Sequence, residues 1–113
     1  MSKRTNKDFL LDIQEAASRI AKYVLEMSYE EFLKDEKTQD AVVRNIEIIG
    51  EAVKELHDDF KAKHTDIEWK YIARMRDKLI HHYHGVSWEI VWSVVKNDLP
   101  DLKSKVDSII ENL

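Results

Sequence analysis

Two glycines and one proline are all the turn punctuation in a chain of 113 residues. Folds made of many short strands draw heavily on those two residues to reverse direction. The sequence therefore implies a few long helices, in an all-α, up-and-down bundle of about five. The length suits a single domain, residues 1–113, with one modest core. Charged residues make up 35% and hydrophobic residues 43%. That balance fits a thin bundle with much exposed surface, or one whose remaining apolar area is covered by a second copy.

Hydrophobic periodicity places the helices. Phe9, Leu10, Ile13, Ala17, Ile20, Ala21, Val24 and Leu25 recur at three- and four-residue spacing, which predicts a first helix ending near Met27. Ser28-Tyr29-Glu30-Glu31 matches a capping box and starts a short second helix carrying Phe32 and Leu33. A third helix is expected from about Lys37 to Ala62, with Val42, Ile46, Ile49, Val53 and Leu56 on one stripe, Asn45 at its edge and Gly50 inside it, where close helix packing is plausible. Thr65-Asp66-Ile67-Glu68 reads as a second capping box opening a fourth helix. Ser87 caps a fifth, and Pro100 marks a helical restart.

The fourth helix holds the anomaly. At about 100° per residue, Trp69, Ile72, Leu79, Ile80 and Tyr83 share one face and Arg76 lies in their midst. A guanidinium on an apolar stripe requires a carboxylate, a carbonyl, a partner subunit or a ligand. Glu47 or Glu51, with Asn45, are the candidates from the third helix. Asp77 precedes His81 by four residues, so the carboxylate is placed to orient the imidazole and raise its pKa. Arg76, Asp77, His81 and Tyr83 together form an acid/base and anion-handling set.

Net charge is −4, which excludes a global basic field of the kind that drives nonspecific nucleic-acid binding. Any RNA contact has to be local, at Lys61, Lys63, Lys70, Arg74, Arg76 and Lys78, unless that run is simply a solvated helix face. The chain contains no cysteine, which excludes thiolate chemistry and a disulfide framework and is compatible with a reducing cytosol. Without a secretory signal or an apolar run long enough for a bilayer, a cytoplasmic protein with no membrane partner is expected.

The run Arg76-Asp77-Lys78-Leu79-Ile80-His81-His82-Tyr83 resembles the Arg-x4-His-x-Tyr signature of the HepT-like branch of the HEPN superfamily. The resemblance extends to Val43–Ala52, to Trp69 and Ile72 before Met75-Arg76, to Gly85-Val86, and to Val91-Trp92 followed by Asp98-Leu99-Pro100. It implies a small helical homodimer acting as an RNase toxin of a type VII-like toxin–antitoxin pair. The antitoxin would be a cognate minimal nucleotidyltransferase of the MNT type. Carried over, Arg76 and His81 are implied to cleave RNA and Tyr83 to receive AMP, which blocks the site. Asp77 departs from the asparagine often found there, so its negative charge either weakens RNA binding or strengthens His81 as a base.

No metal or cofactor is expected. His81-x-x-His84 offers two imidazoles with no evident third ligand, whereas cleavage by the RNA's own 2′-OH needs proton transfer and charge stabilisation, which histidine and arginine supply. On one ideal helix Arg76 and His81 point about 140° apart, which favours a site built from two copies. The alternative is a noncatalytic helical dimer that binds a nucleotidyltransferase or a nucleotide through the same residues. The bland readings are Arg76 paired with an acid, the histidines at a helix terminus, Tyr83 in the core, His57 and His64 on the surface, and Trp69, Trp88 and Trp92 as packing residues, one of which could stack a base.

Overall fold

The computed structural model describes residues 3–81 and 87–113, with the side chains of Ile80 and His81 left outside that description. Among the described residues the fold is all-α: α1 (Asn6–Tyr23), α2 (Tyr29–Leu33), α3 (Glu36–Glu55), α4 (Asp58–Lys63), α5 (Trp69–His81), α6 (Trp88–Ser93) and α7 (Leu99–Glu111). A π-helical turn, Val94–Asp98, joins α6 to α7. None of these helices is long and apolar enough to cross a membrane.

Local chemistry sets most of the boundaries. Thr5 Oγ1 accepts from the Asp8 backbone N–H at 3.3 Å while Asp8 returns a bond to the Thr5 N–H at 2.8 Å, closing a capping box on α1. Ser28 and Glu31 form the predicted box on α2, and Asp35 caps α3 through the Thr38 N–H. In each cap a backbone N–H and a hydroxyl donate to the carboxylate and favour its ionised form, so Asp8, Glu31 and Asp35 are held below the ordinary carboxylate range.

Two helix ends differ from expectation. Helix α1 ends at Tyr23 rather than near Met27 because the chain turns through Glu26 at φ 61°. Val24 beyond the helix is still buried, which is why the periodicity overran the end. The long third helix stops at Glu55. Leu56 there turns extended (φ −62°, ψ 141°) and is buried, and Asn6 Oδ1 accepts the His57 N–H at 3.1 Å. A tertiary contact thus breaks the helix without glycine or proline.

Helix α3 is the spine, packed on α1 along one side and on α5 along another, with α7 against α1. Leu10, Ile13, Ile20, Val42, Ile46, Ile49, Val53 and Val106 are fully enclosed between them, each contributing about 1.5–3 kcal/mol by leaving water. Phe32 is likewise enclosed, between Trp88 (centroids 5.8 Å, edge-on) and Trp92 (5.0 Å) of α6. These two tryptophans, with Trp69, are packing residues. Gln39 ties α2 to α3 by donating to the Phe32 and Leu33 carbonyls.

Candidate active site

Helix α5 begins at Trp69, whose Nε1 donates to the His64 carbonyl at 3.0 Å. Thr65–Ile67 form a turn ahead of it, and the first helical bond runs from the Ile72 N–H to the Glu68 carbonyl. The Thr65–Glu68 pattern therefore lies one turn before the helix it was expected to cap. His64 is half-buried and stacks on Phe60 at 4.5 Å, while His57 is exposed. Trp69, Ile72 and Leu79, the members of the predicted stripe whose side chains are described, are buried. Arg76 lies among them with its side chain 17% exposed.

The sequence makes room for it with Gly50. A Cβ at that position would overlap Cβ and Cγ of Arg76, so α3 and α5 meet in a contact no larger residue allows. Beyond that contact the guanidinium reaches two carboxylates. Nη2 donates to Glu51 Oε1 at 3.0 Å and Nη1 to Asp77 Oδ1 at 3.2 Å. Asp77 Oδ1 also accepts from Lys54 Nζ on α3. Lys54 first, and then Arg76, hold the Asp77 carboxyl below its ordinary pKa. Arg76 Nε is buried and has no hydrogen bond to a described residue.

Gly50, Glu51 and Lys54 thus cradle one arginine from a single turn of α3. Of the acids considered for it, Glu51 pairs with Arg76, whereas Glu47 pairs with Arg44 at 3.8 Å. Asn45 is buried but donates to the Ala41 carbonyl of its own helix at 2.9 Å, and its Oδ1 is unpaired among the described residues. Lys54 is the residue that sequence reasoning missed. Its position one turn after Gly50 is the signal that could have found it.

Helix α5 is helical through His81. The His81 side chain and the whole of His82, Tyr83 and His84 lie outside the described residues, and with them the expected Asp77–His81 pairing.

Two shallow grooves meet at Lys54. One, of about 360 Å³, contains Arg76, Glu51, Arg4 and Asp12. The other, of about 520 Å³, contains Lys61, Lys70 and Arg74 together with Asp58 and Glu68. Part of the expected basic patch is therefore continuous with the arginine, interrupted by acids. A third groove, of about 450 Å³, is mostly apolar and lies between α5 and α6, lined by Met75, Leu79, Val91, Val94 and the exposed Ile90.

The site is thus a guanidinium held by Glu51 and Asp77 at the edge of a groove on an all-α scaffold. Residues 13–109 match the model of the HepT-like family, described as ribonuclease HepT-like, and the chain belongs to that family of RNA-cleaving enzymes, within the HEPN superfamily. It is 50% identical over 107 residues to a protein of Thermococcus cleftensis named a probable ribonuclease HepT, covering 95% of this chain and 97% of that one. It is 46% identical over 113 residues to a candidate RNase of Methanocaldococcus jannaschii, covering 100% and 93%. A candidate RNase of Caldanaerobacter subterraneus subsp. tengcongensis is 41% identical over 108 residues, with 96% of each chain covered. No solved structure matches the chain.

Proposed function

We propose that the chain is a metal-independent endoribonuclease toxin that cleaves RNA with Arg76 and His81. We further propose that it is neutralised when a cognate MNT-type nucleotidyltransferase places AMP on Tyr83. The observation that carries the reading is the Arg76 cradle. Helix α3 gives up a side chain at Gly50 to admit this arginine, and the head, paired with Glu51 and Asp77, lines an open groove. A guanidinium so fixed suits negative charge developing on the phosphoryl oxygens.

In the reaction the RNA 2′-oxygen bonds to the adjacent phosphorus and the bond to the leaving oxygen breaks. One proton leaves the 2′-OH and one reaches the leaving oxygen. His81 handles protons and Arg76 the phosphorane charge. Because α5 stays helical through His81, the two positions diverge around the helix by about 140°. We assign the complete site to a homodimer, with the apolar α5–α6 groove as the surface that receives the second copy.

The test is cleavage of total cellular RNA by purified, unmodified protein in EDTA, beside Arg76→Ala and His81→Ala. Cleavage by the parent alone supports the assignment. If none of the three cleaves while all bind the nucleotidyltransferase as folded dimers, the chain is a noncatalytic binding module. Cleavage by all three removes both residues from the mechanism.

A further inference from the structure

Glu51 and Arg76 form an ion pair whose two ends stand in different surroundings. The arginine side chain is 17% exposed and the glutamate 63%. The arginine stem is fixed against Gly50, and one terminal nitrogen is held by Asp77, itself anchored to Lys54. The other terminal nitrogen donates to Glu51. That carboxylate stands on the solvent side of the head, within the groove shared with Lys54 and Arg4. Rotation about its own side-chain bonds takes it into water without moving the backbone. Carboxylate and phosphate oxygens make the same demand on a guanidinium. The nitrogen that Glu51 uses is therefore the one an incoming phosphate needs.

We propose that Glu51 occupies the phosphate's place on Arg76 in the free protein, and that RNA binds by displacing it, so this carboxylate sets the affinity threshold of the site. The inference rests on Arg76 being the phosphate-binding arginine. Glu51 is a positioning residue that touches the reaction only through Arg76. It selects for a polyanionic strand, whose neighbouring phosphates engage Lys61 and Arg74 in the adjoining groove, over an isolated anion that brings no such reinforcement.

The experiment is binding of a 2′-O-methyl RNA oligonucleotide, which lacks the attacking hydroxyl, followed by fluorescence anisotropy. It compares the parent with Glu51→Gln, Arg76→Ala, the double variant, and Glu111→Gln as a control for net charge. Glu51→Gln is expected to tighten binding about two- to five-fold, the scale of one largely exposed ion pair. With cleavable RNA it should lower KM by a similar factor at unchanged kcat. The tightening should vanish when Arg76 is alanine. Unchanged or weaker binding in Glu51→Gln overturns the proposal, as does equal tightening in the Arg76→Ala background or in Glu111→Gln. Arg76→Ala reports separately on the parent reading. If that variant binds and cleaves like the parent, the arginine is not the phosphate site and the inference falls with it.

Discussion

Gly50 and Arg76 occupy one continuous space, because the volume that a side chain on the glycine would fill is taken by Cβ and Cγ of the arginine. The overlap involves the base of the arginine side chain, which cannot swing aside as its tip could. Gly50→Ala should therefore cost about 1–3 kcal/mol in overpacking, offset by about 1 kcal/mol of gained helix propensity. A net loss of up to about 2 kcal/mol in urea denaturation is expected, with RNA cleavage falling by more than stability alone explains. A variant at least as stable and fully active would show that α3 and α5 can separate freely.

Asp77 carries negative charge beside the arginine and is held there by Lys54. Asp77→Asn should leave the fold intact, since the pair is substantially exposed and such pairs contribute little to stability. It should raise kcat/KM for RNA several-fold by freeing Lys54 for the strand. A loss of activity at unchanged stability would instead assign Asp77 to supporting His81.

Ile90 is 65% exposed at the mouth of the apolar groove between α5 and α6. If that groove receives a second copy, Ile90→Glu should shift the protein to monomer in sedimentation and abolish cleavage while leaving helical content unchanged. A dimer that survives the charge places the interface elsewhere.

Tyr83 is the proposed acceptor of AMP. Incubation with the cognate nucleotidyltransferase and ATP should add whole AMP masses to the intact protein and suppress cleavage, and Tyr83→Phe should block both. An unmodified mass with a demonstrably active partner would remove this mode of neutralisation.

Asp8, Glu31, Asp35, Asp77 and Asp107 are all depressed below their ordinary pKa values by hydrogen bonds to caps, to Lys54 and to Lys103. A carboxyl with a lower pKa in the folded state stabilises it above the unfolded pKa, and that contribution disappears as pH falls through the folded value. The melting temperature should therefore hold its level from these groups above about pH 5 and decline below about pH 4. Glu31→Gln should make that acid decline shallower, and an unchanged acid limb would show that the Ser28 box is not maintained in solution.

Where the structure follows the sequence, the signals were local. Ser28 with Glu31 and Ser87 accepting from the Ile90 N–H each settle a boundary through atoms three residues apart. The restart expected at Pro100 is absent, because the π-turn carries α6 into α7 without a break. The burial of Trp69, Ile72 and Leu79 on α5 and the arginine among them followed from helical periodicity. The break at Leu56 and the Lys54–Asp77 bridge left no such trace, because their partners Asn6 and Asp77 lie 51 and 23 residues away. The Thr65 pattern misled because a capping-box sequence is not sufficient to start a helix, and α4 and α7 begin with no side-chain cap at all. Here the side chain of Trp69 and the carbonyl of His64 set the start of the helix. Glu51 was legible as a candidate for Arg76, but its exposure, which gives it a role, is visible only in the packed molecule.

The π-helical turn at Val94–Asp98 makes α6 and α7 a single rod with one residue more than α-helical geometry would place there. The aromatic side of α6 meets Phe32, while Leu99, Leu102 and Val106 are buried where α7 runs against α1. Deleting one residue from the bulge would restore a regular helix and turn everything downstream by about 100°. The apolar edge of α7 would then rotate away from α1. Chain length is consequently constrained within this rod in a way it is not in the surface turns. Related sequences that gain or lose a residue between Trp92 and Leu99 would need a compensating shift in their hydrophobic pattern to keep the same bundle.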